Sequence, residues 1–275
     1  MNRINTIKSN NYQSVTVNCH VCNIPVILKF ILFASLLPSL AACEKVIQLD
    51  LKDSSPKIVI QGNIYDQAGP YTVTLSSSVN FDASSAYPPV TGAKVVISDN
   101  LGQSEVLSET IGGTYVTSRL RGIPGRIYSL SVTAGAQSYQ ASALMPPAVR
   151  MDSIYFSSSP FSGETLTTIR FTDPPLSVDY YRMIYFINKV QQKEFYVLED
   201  ELFQGSTIFY SLHPRGSDTK LLKGDSVTVW LETVDPGVYK YFRSAGSESG
   251  ASASPANPAS NISNGALGYF NACSV

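Results

Sequence analysis

From residue 57 onward, apolar and polar positions alternate with a period of two over short runs, the pattern of half-buried β-strands. Residues 58–60 open the series, and in 71–76 Tyr71, Val73 and Leu75 share one face while Thr72, Thr74 and Ser76 share the other. The run 94–98 leads into Asp99-Asn100-Leu101-Gly102, a turn whose Asn and Gly tolerate positive φ. Runs at 105–108, 114–117, 126–134 and 139–144 follow, punctuated by Gly112-Gly113 and by Gly122-Ile123-Pro124-Gly125, and the series closes at Met145-Pro146-Pro147. About seven short strands in roughly ninety residues, with turn signals every few positions, predict an immunoglobulin-like or transthyretin-like β-sandwich over 57–147.

The second half, 148–275, continues with strand patterns at 152–156 and 165–171 before Asp173-Pro174-Pro175 interrupts them. Residues 180–187 are apolar on both faces except for Arg182, which predicts a central strand covered on both sides. Runs at 194–198, 207–212 and 226–232 add three more strands. Past Asp235-Pro236, Val238, Tyr241, Phe242 and Ala245 have helical spacing, and Pro in the first turn suits a short helix. The stretch 244–260 is rich in Ser, Ala, Gly and Pro and predicts a flexible exposed loop, after which the chain resumes over 261–270. The fold class expected is therefore all-β: an N-terminal sandwich followed by a second β-rich domain with one short helix.

Ahead of the alternating region the pattern changes. A polar stretch with Arg3 and Lys8 leads to the apolar core 30–38, too short for a bilayer span of about 20 residues but matching a signal-peptide core. It ends in Leu40-Ala41-Ala42-Cys43, which resembles the lipobox of bacterial lipoprotein precursors, where small residues fit a narrow peptidase site and the Cys thiol receives a diacylglyceryl group. Residues 1–42 are thus expected to be a lipoprotein signal peptide, Cys43 the lipidation site, and 43–56 a tether. Acyl chains contribute roughly 0.8 kcal/mol per buried CH₂, so several together hold a folded domain on a membrane. The polar segment before the core is long for a leader, which fits a translation start later than Met1.

Composition narrows the chemistry. Charged residues make up 15% of the chain and the formal net charge is -1, which removes the basic footprint of a nucleic-acid binder. Cys19 and Cys22 belong to the discarded leader, so after processing Cys273 has no cysteine to pair with and the fold must stand without disulfides. His213 is the one histidine after Cys43, and beside Pro214 it reads as a loop or packing residue rather than a catalytic base. Gly246-Ser247-Glu248-Ser249-Gly250 has Glu where a nucleophile elbow needs Ser. Glu199-Asp200-Glu201 offers carboxylates for Ca²⁺ or for acid/base work, but reads better as a solvated loop, and Asp173 as the start of a turn. Gly112-Gly113 lacks the helix and Lys of a phosphate loop. Asp152-Ser153-Ile154 and Asp225-Ser226-Val227 resemble a short O-glycosylation acceptor and are equally explained as strand starts. Tyr180, Tyr181, Tyr185, Phe186, Tyr196, Phe203, Phe209 and Tyr210 concentrate in the second half, mostly as expected core, with exposed members able to stack on sugars or a partner. No catalytic, cofactor-binding or metal-binding set emerges, and a non-enzymatic role is expected.

Several segments, in order along the mature chain, resemble a Bacteroidota lipoprotein family termed domain of unknown function 4249. They are Cys43-Glu44 with its tether, Lys57-Ile58-Val59-Ile60-Gln61-Gly62, the stretch 92–99, Gly135 to Tyr139 with Met145-Pro146, Asp152-Ser153-Ile154, Asp173-Pro174 with Tyr180-Tyr181-Arg182, Tyr239-Lys240-Tyr241-Phe242 and Asn261 to Phe270. The Asn264-Gly265-Ala266-Leu267-Gly268-Tyr269-Phe270 motif is the most specific of them. The resemblance implies an outer-membrane lipoprotein, on the cell surface or facing the periplasm, that serves as an accessory to a TonB-dependent receptor. It also implies a further strand beyond Val275. The alternative is a structural or adhesive surface protein that binds glycan or protein through the second domain.

Overall fold

The computed structural model describes residues 55–79, 87–202, 204–213, 220–248 and 257–275. The expected leader, Cys19, Cys22, the lipidation site Cys43 and all of the tether but its last two residues lie outside these, as do Phe203 and residues 249–256 of the expected loop. The alternating runs become strands β1 (Ile58–Tyr65), β2 (Thr72–Ser77), β3 (Lys94–Asp99), β4 (Ser104–Val106), β5 (Ser108–Glu109), β6 (Thr114–Val116), β7 (Ile127–Ala134) and β8 (Gln137–Leu144). Then come β9 (Met151–Ser158), β10 (Thr165–Thr172), β11 (Tyr180–Ile187), β12 (Val190–Gln191), β13 (Tyr196–Glu199), β14 (Thr207–Leu212), β15 (Val227–Thr233), helix α1 (Pro236–Glu248) and β16 (Leu267–Cys273). The chain is all-β apart from α1, the one helix among the described residues.

Two sheets, ordered β16-β1-β2-β6-β5 and β4-β3-β7-β8, face each other in the first half. Their inward residues alternate along each strand as the pattern predicts, and Ile60, Ile64, Val73, Leu75, Tyr115, Ile97, Tyr128, Leu130 and Phe270 form one buried core. The turn at Asp99 is held by its own carboxylate. Oδ1 accepts from the N–H groups of Leu101 and Gln103, and Oδ2 accepts from the Arg126 guanidinium. Burial alone would raise this carboxyl; the Arg126 hydrogen bond and the backbone donors outweigh it and hold the group below the usual range.

The second half stacks a β14-β10-β9 sheet on another in which β11 is flanked by β12 and β13 on one side and β15 on the other. Strand β11 is central, and both its faces are covered. Tyr181, Met183 and Tyr185 enter a core with Ile169, Phe171, Ile208, Leu212 and Leu231, whereas Arg182 turns the other way, its guanidinium 3.9 Å from the centre of the Phe242 ring on α1. Arg182 sits opposite Glu232 in the ladder and pairs with it at 3.2 Å, with Glu232 fully buried. Burial pushes the Glu232 carboxyl up, against the lowering effects of Arg182 and the Cys273 thiol. Such a pair contributes little net stability, but removing one member strands the other in a dry site. The short β12 arises because Asn188 and Lys189 adopt positive φ and close a two-residue hairpin.

Helix α1 begins where Asp235 caps it, accepting the Gly237 N–H at 2.8 Å, with Pro236 in the first turn. The other Asp235 carboxylate oxygen accepts the Leu144 N–H across the molecule. The helix runs through Glu248, so residues 244–248 are helical rather than part of a loop beginning at Ser244. Val238, Tyr239 and Phe242 pack into a third cluster with Tyr269 and Cys273, and that burial overrides the weak helix preference of the Ser and Gly residues that follow.

Placing 261–275 with the second half needs correction. Strand β16 lies parallel to β1, pairing Val59 with Leu267 through Tyr65 with Cys273, as the edge of the first sheet. It can do so because it is buried on both faces: Phe270 and Ala272 enter the first core, whereas Tyr269 and Cys273 meet α1, and Asn271 between them donates to the Asn63 side chain on β1. Gly268 makes the approach possible. It has φ of 95°, and a Cβ there would lie 2.0 Å from the Ile60 carbonyl oxygen. Asn261 completes the outer edge, its amide donating to the Phe270 carbonyl at 2.8 Å and accepting the Phe270 N–H at 2.9 Å. The described residues pack as one compact unit.

Two expectations follow. Gly268→Ala should lower unfolding stability in urea by about 3 kcal/mol or more, from backbone strain plus overlap with Ile60. Gly265→Ala, at φ of 68° but with open space around its Cβ, should cost only about 1 kcal/mol. Arg182→Met should cost about 3–5 kcal/mol in the same assay, and the double variant Arg182→Met/Glu232→Leu should recover most of that loss.

Candidate functional site

In the second half the edge strands β13 and β14 belong to opposite sheets, and α1 lies alongside β13. Between them is a groove of about 770 Å³, lined by residues 193–197, by Tyr210, Ser211 and His213, and by Phe242, Arg243 and Gly246 of α1. Its floor is aromatic. Tyr196 and Phe242 are buried, and Phe195, 46% exposed, stands at the rim with its ring 5.3 Å from that of Phe242. Arg243 lies 3.7 Å from the Glu199 carboxylate and donates to the Tyr239 hydroxyl, which itself donates to Glu199 at 3.3 Å. The guanidinium is well exposed, so this network orients it without neutralising its reach into solvent. Aromatic surface beside Lys193 and Arg243 suits a ligand with apolar faces and an anionic or hydroxyl-rich edge.

His213 stands at the rim, exposed, its Nδ1 2.8 Å from the Ser211 carbonyl oxygen. Of the second-half aromatics, Tyr181, Tyr185 and Tyr196 are core, Tyr180, Phe186 and Tyr210 are half-buried, and Phe209 is exposed. Phe209 pairs with Arg170, and Tyr155 pairs with Thr168 two residues earlier on β10, which places Tyr155, Arg170 and Phe209 on one sheet face. Ser153 lies in β9 and Ser226 immediately precedes β15, so both three-residue acceptor-like motifs fall at strand starts. Cys273 is a free, fully buried thiol, and its burial, with Glu232 nearby, pushes its pKa up. A thiol so placed is a packing residue, not a nucleophile.

The acidic residues depart most from expectation. Asp200 is not part of a solvated loop: it is wholly buried, and Asp173 is 2% exposed. With Asp179 they form a cluster in which one carboxylate oxygen from each lies within 4.8 Å of the others. Asp173 directly follows β10, Asp179 directly precedes β11 and Asp200 directly follows β13, so the Tyr180–Glu199 pairing brings Asp179 and Asp200 together. Burial and a hydrogen-bonding contact with Asp173 push the Asp200 carboxyl up to about 6. No motif spacing signals this cluster, because its members meet only through strand pairing.

The geometry therefore defines a class: an all-β chain of two β-sandwiches, joined through strand β16 and α1, with an open groove beside that helix. The sequence from residue 44 to residue 275 matches the family described as Domain of unknown function (DUF4249), and the chain belongs to that family. No curated protein matches it. No helix among the described residues is long and apolar enough to cross a membrane.

Proposed function

We propose that this chain is a lipid-anchored, non-enzymatic binding or accessory subunit of a TonB-dependent uptake system at the outer membrane. The observation that carries the reading is Leu40-Ala41-Ala42-Cys43 after a short apolar core, with the family match beginning at the next residue. Acylation at Cys43 would hold the whole β structure at the membrane surface through the short tether. The groove between β13, β14 and α1 supplies a surface on which a ligand or partner can bind without conversion. In the native organism, Cys43→Ser should abolish palmitate labelling and move the protein out of the membrane fraction. Affinity purification of the wild type from detergent-solubilised outer membrane should recover a β-barrel receptor; repeated isolation of the lipoprotein alone would overturn the accessory role.

One observation favours a second reading, that of an adhesive surface protein: Tyr155 and Phe209 are exposed on either side of Arg170 on a single sheet face. Stacking on exposed rings contributes about 0.5–1.5 kcal/mol for each pair. On this reading a glycan array shows binding that falls about tenfold in Tyr155→Ala and Phe209→Ala, while unfolding midpoints stay unchanged.

A further inference from the structure

The second sandwich buries two carboxylates, Asp173 and Asp200, beside the half-buried Asp179. No Lys or Arg forms an ion pair with any of them among the described residues. Backbone and hydroxyl donors satisfy part of the cluster. Asp173 accepts from the Tyr181 hydroxyl on one oxygen and from the Gly205 N–H, at 3.2 Å, on the other. Asp200 Oδ1 accepts the Asp179 N–H at 2.8 Å, and Asp179 Oδ2 accepts the Ser177 hydroxyl at 2.7 Å. Asp200 Oδ2 is different. It is fully buried, and no donor among the described residues reaches it. It belongs to a carboxyl group that lies against that of Asp173 and within the three-carboxylate cluster. A buried carboxylate oxygen without a donor carries a desolvation cost that a proton or a cation must offset.

We propose that Asp173, Asp179 and Asp200 bind a divalent hard cation, Ca²⁺, which joins the β10–β11 connection to the β13–β14 connection. The donor set is all oxygen, as Ca²⁺ requires, and lacks the nitrogen and sulfur ligands that favour zinc. The span also fits: Ca²⁺–oxygen bonds of about 2.3–2.6 Å place ligands on opposite sides of the ion roughly 4.6–5.2 Å apart, and the three oxygens lie within 4.8 Å of one another. Mg²⁺ demands near-ideal octahedral geometry and prefers to keep its waters, which suits a site supplied by one or two carboxylates rather than three. Three carboxylates leave room for water to complete six to eight ligands. The competing explanation is a single proton shared by Asp173 and Asp200, which needs no metal.

The test uses the full mature chain, with Cys43 replaced by Ser for solubility, stripped with chelator and titrated with CaCl₂ by calorimetry and with Tb³⁺ by luminescence excited through tyrosine. Tyr181, hydrogen-bonded to Asp173, is placed to sensitise the ion. Saturable binding with one ion per chain and a Kd on the order of 10⁻⁴ M is expected, with Ca²⁺ displacing Tb³⁺ and raising the unfolding temperature. Asp200→Asn should weaken Ca²⁺ binding at least tenfold, and so should Asp179→Asn, whose half-buried position keeps the fold intact if Asp200→Asn misfolds. Absence of heat and luminescence at millimolar ion in the folded wild type overturns the proposal. It is equally overturned if Asp200→Asn is as stable as the wild type and Ca²⁺ changes neither, the outcome a shared proton predicts.

Discussion

The pairing of β16 with β1 is the constraint on which the rest of the architecture depends. Parallel strands need a crossover connection, and here that connection is nearly the whole described chain, since Ile60 meets Gly268. The consequence is that one strand serves two hydrophobic clusters. Phe270 and Ala272 close the first core from its edge, and Tyr269 and Cys273 give α1 a surface to lie on. Close approach is needed for both, which is why the residue facing the Ile60 carbonyl has no side chain. The Asn261 amide occupies the edge of β16 at Phe270, the Thr233–Ser274 bridge continues just past its end, and residues 262–264 pair instead with the edge strand β8 of the other sheet. Parts of two sheet edges that would otherwise invite another chain are thus engaged from within.

The second sandwich is organised around β11, whose two faces carry different chemistry. One face is aromatic and aliphatic and makes the core; the other carries Arg182 against Glu232 and Phe242. Because β13 pairs with only the first half of β11, it leaves an edge at which the groove opens, and its end delivers Asp200 to Asp179. The groove and the carboxylate cluster are thus two products of one short strand. Both lie at the ends or edges of rigid elements, where side chains can be aimed without disturbing the cores.

Much of the secondary structure was legible because period two is a strong signal when one face of each strand is buried. The runs at 71–76, 94–98 and 126–134 became strands with Val73, Leu75, Ile97 and Leu130 inward, and the unbroken apolar run at 180–187 became the central strand. Asp235-Pro236 marked the helix start because capping is local chemistry. What could not be read depends on contacts distant in sequence. The pattern of β16 says that both its faces are buried, not which sheet receives it. Asp200 looked solvated because its neighbours Glu199 and Glu201 are acidic, yet it follows the end of a strand that turns it inward. Residues 244–248 have a loop-like composition, and the packing of Val238 and Phe242 carries the helix through them. The expected lipobox at Leu40-Ala41-Ala42-Cys43 lies outside the described residues.

The β1–β16 ladder also orders events during synthesis. Residues 267–273 leave the ribosome after every other strand among the described residues, and at about 5–20 residues per second β1 waits for its partner through some two hundred positions of elongation. During that interval the first sandwich has an open strand edge and lacks the Phe270 ring in its core, the state in which a β-rich chain is most prone to pair wrongly with another copy.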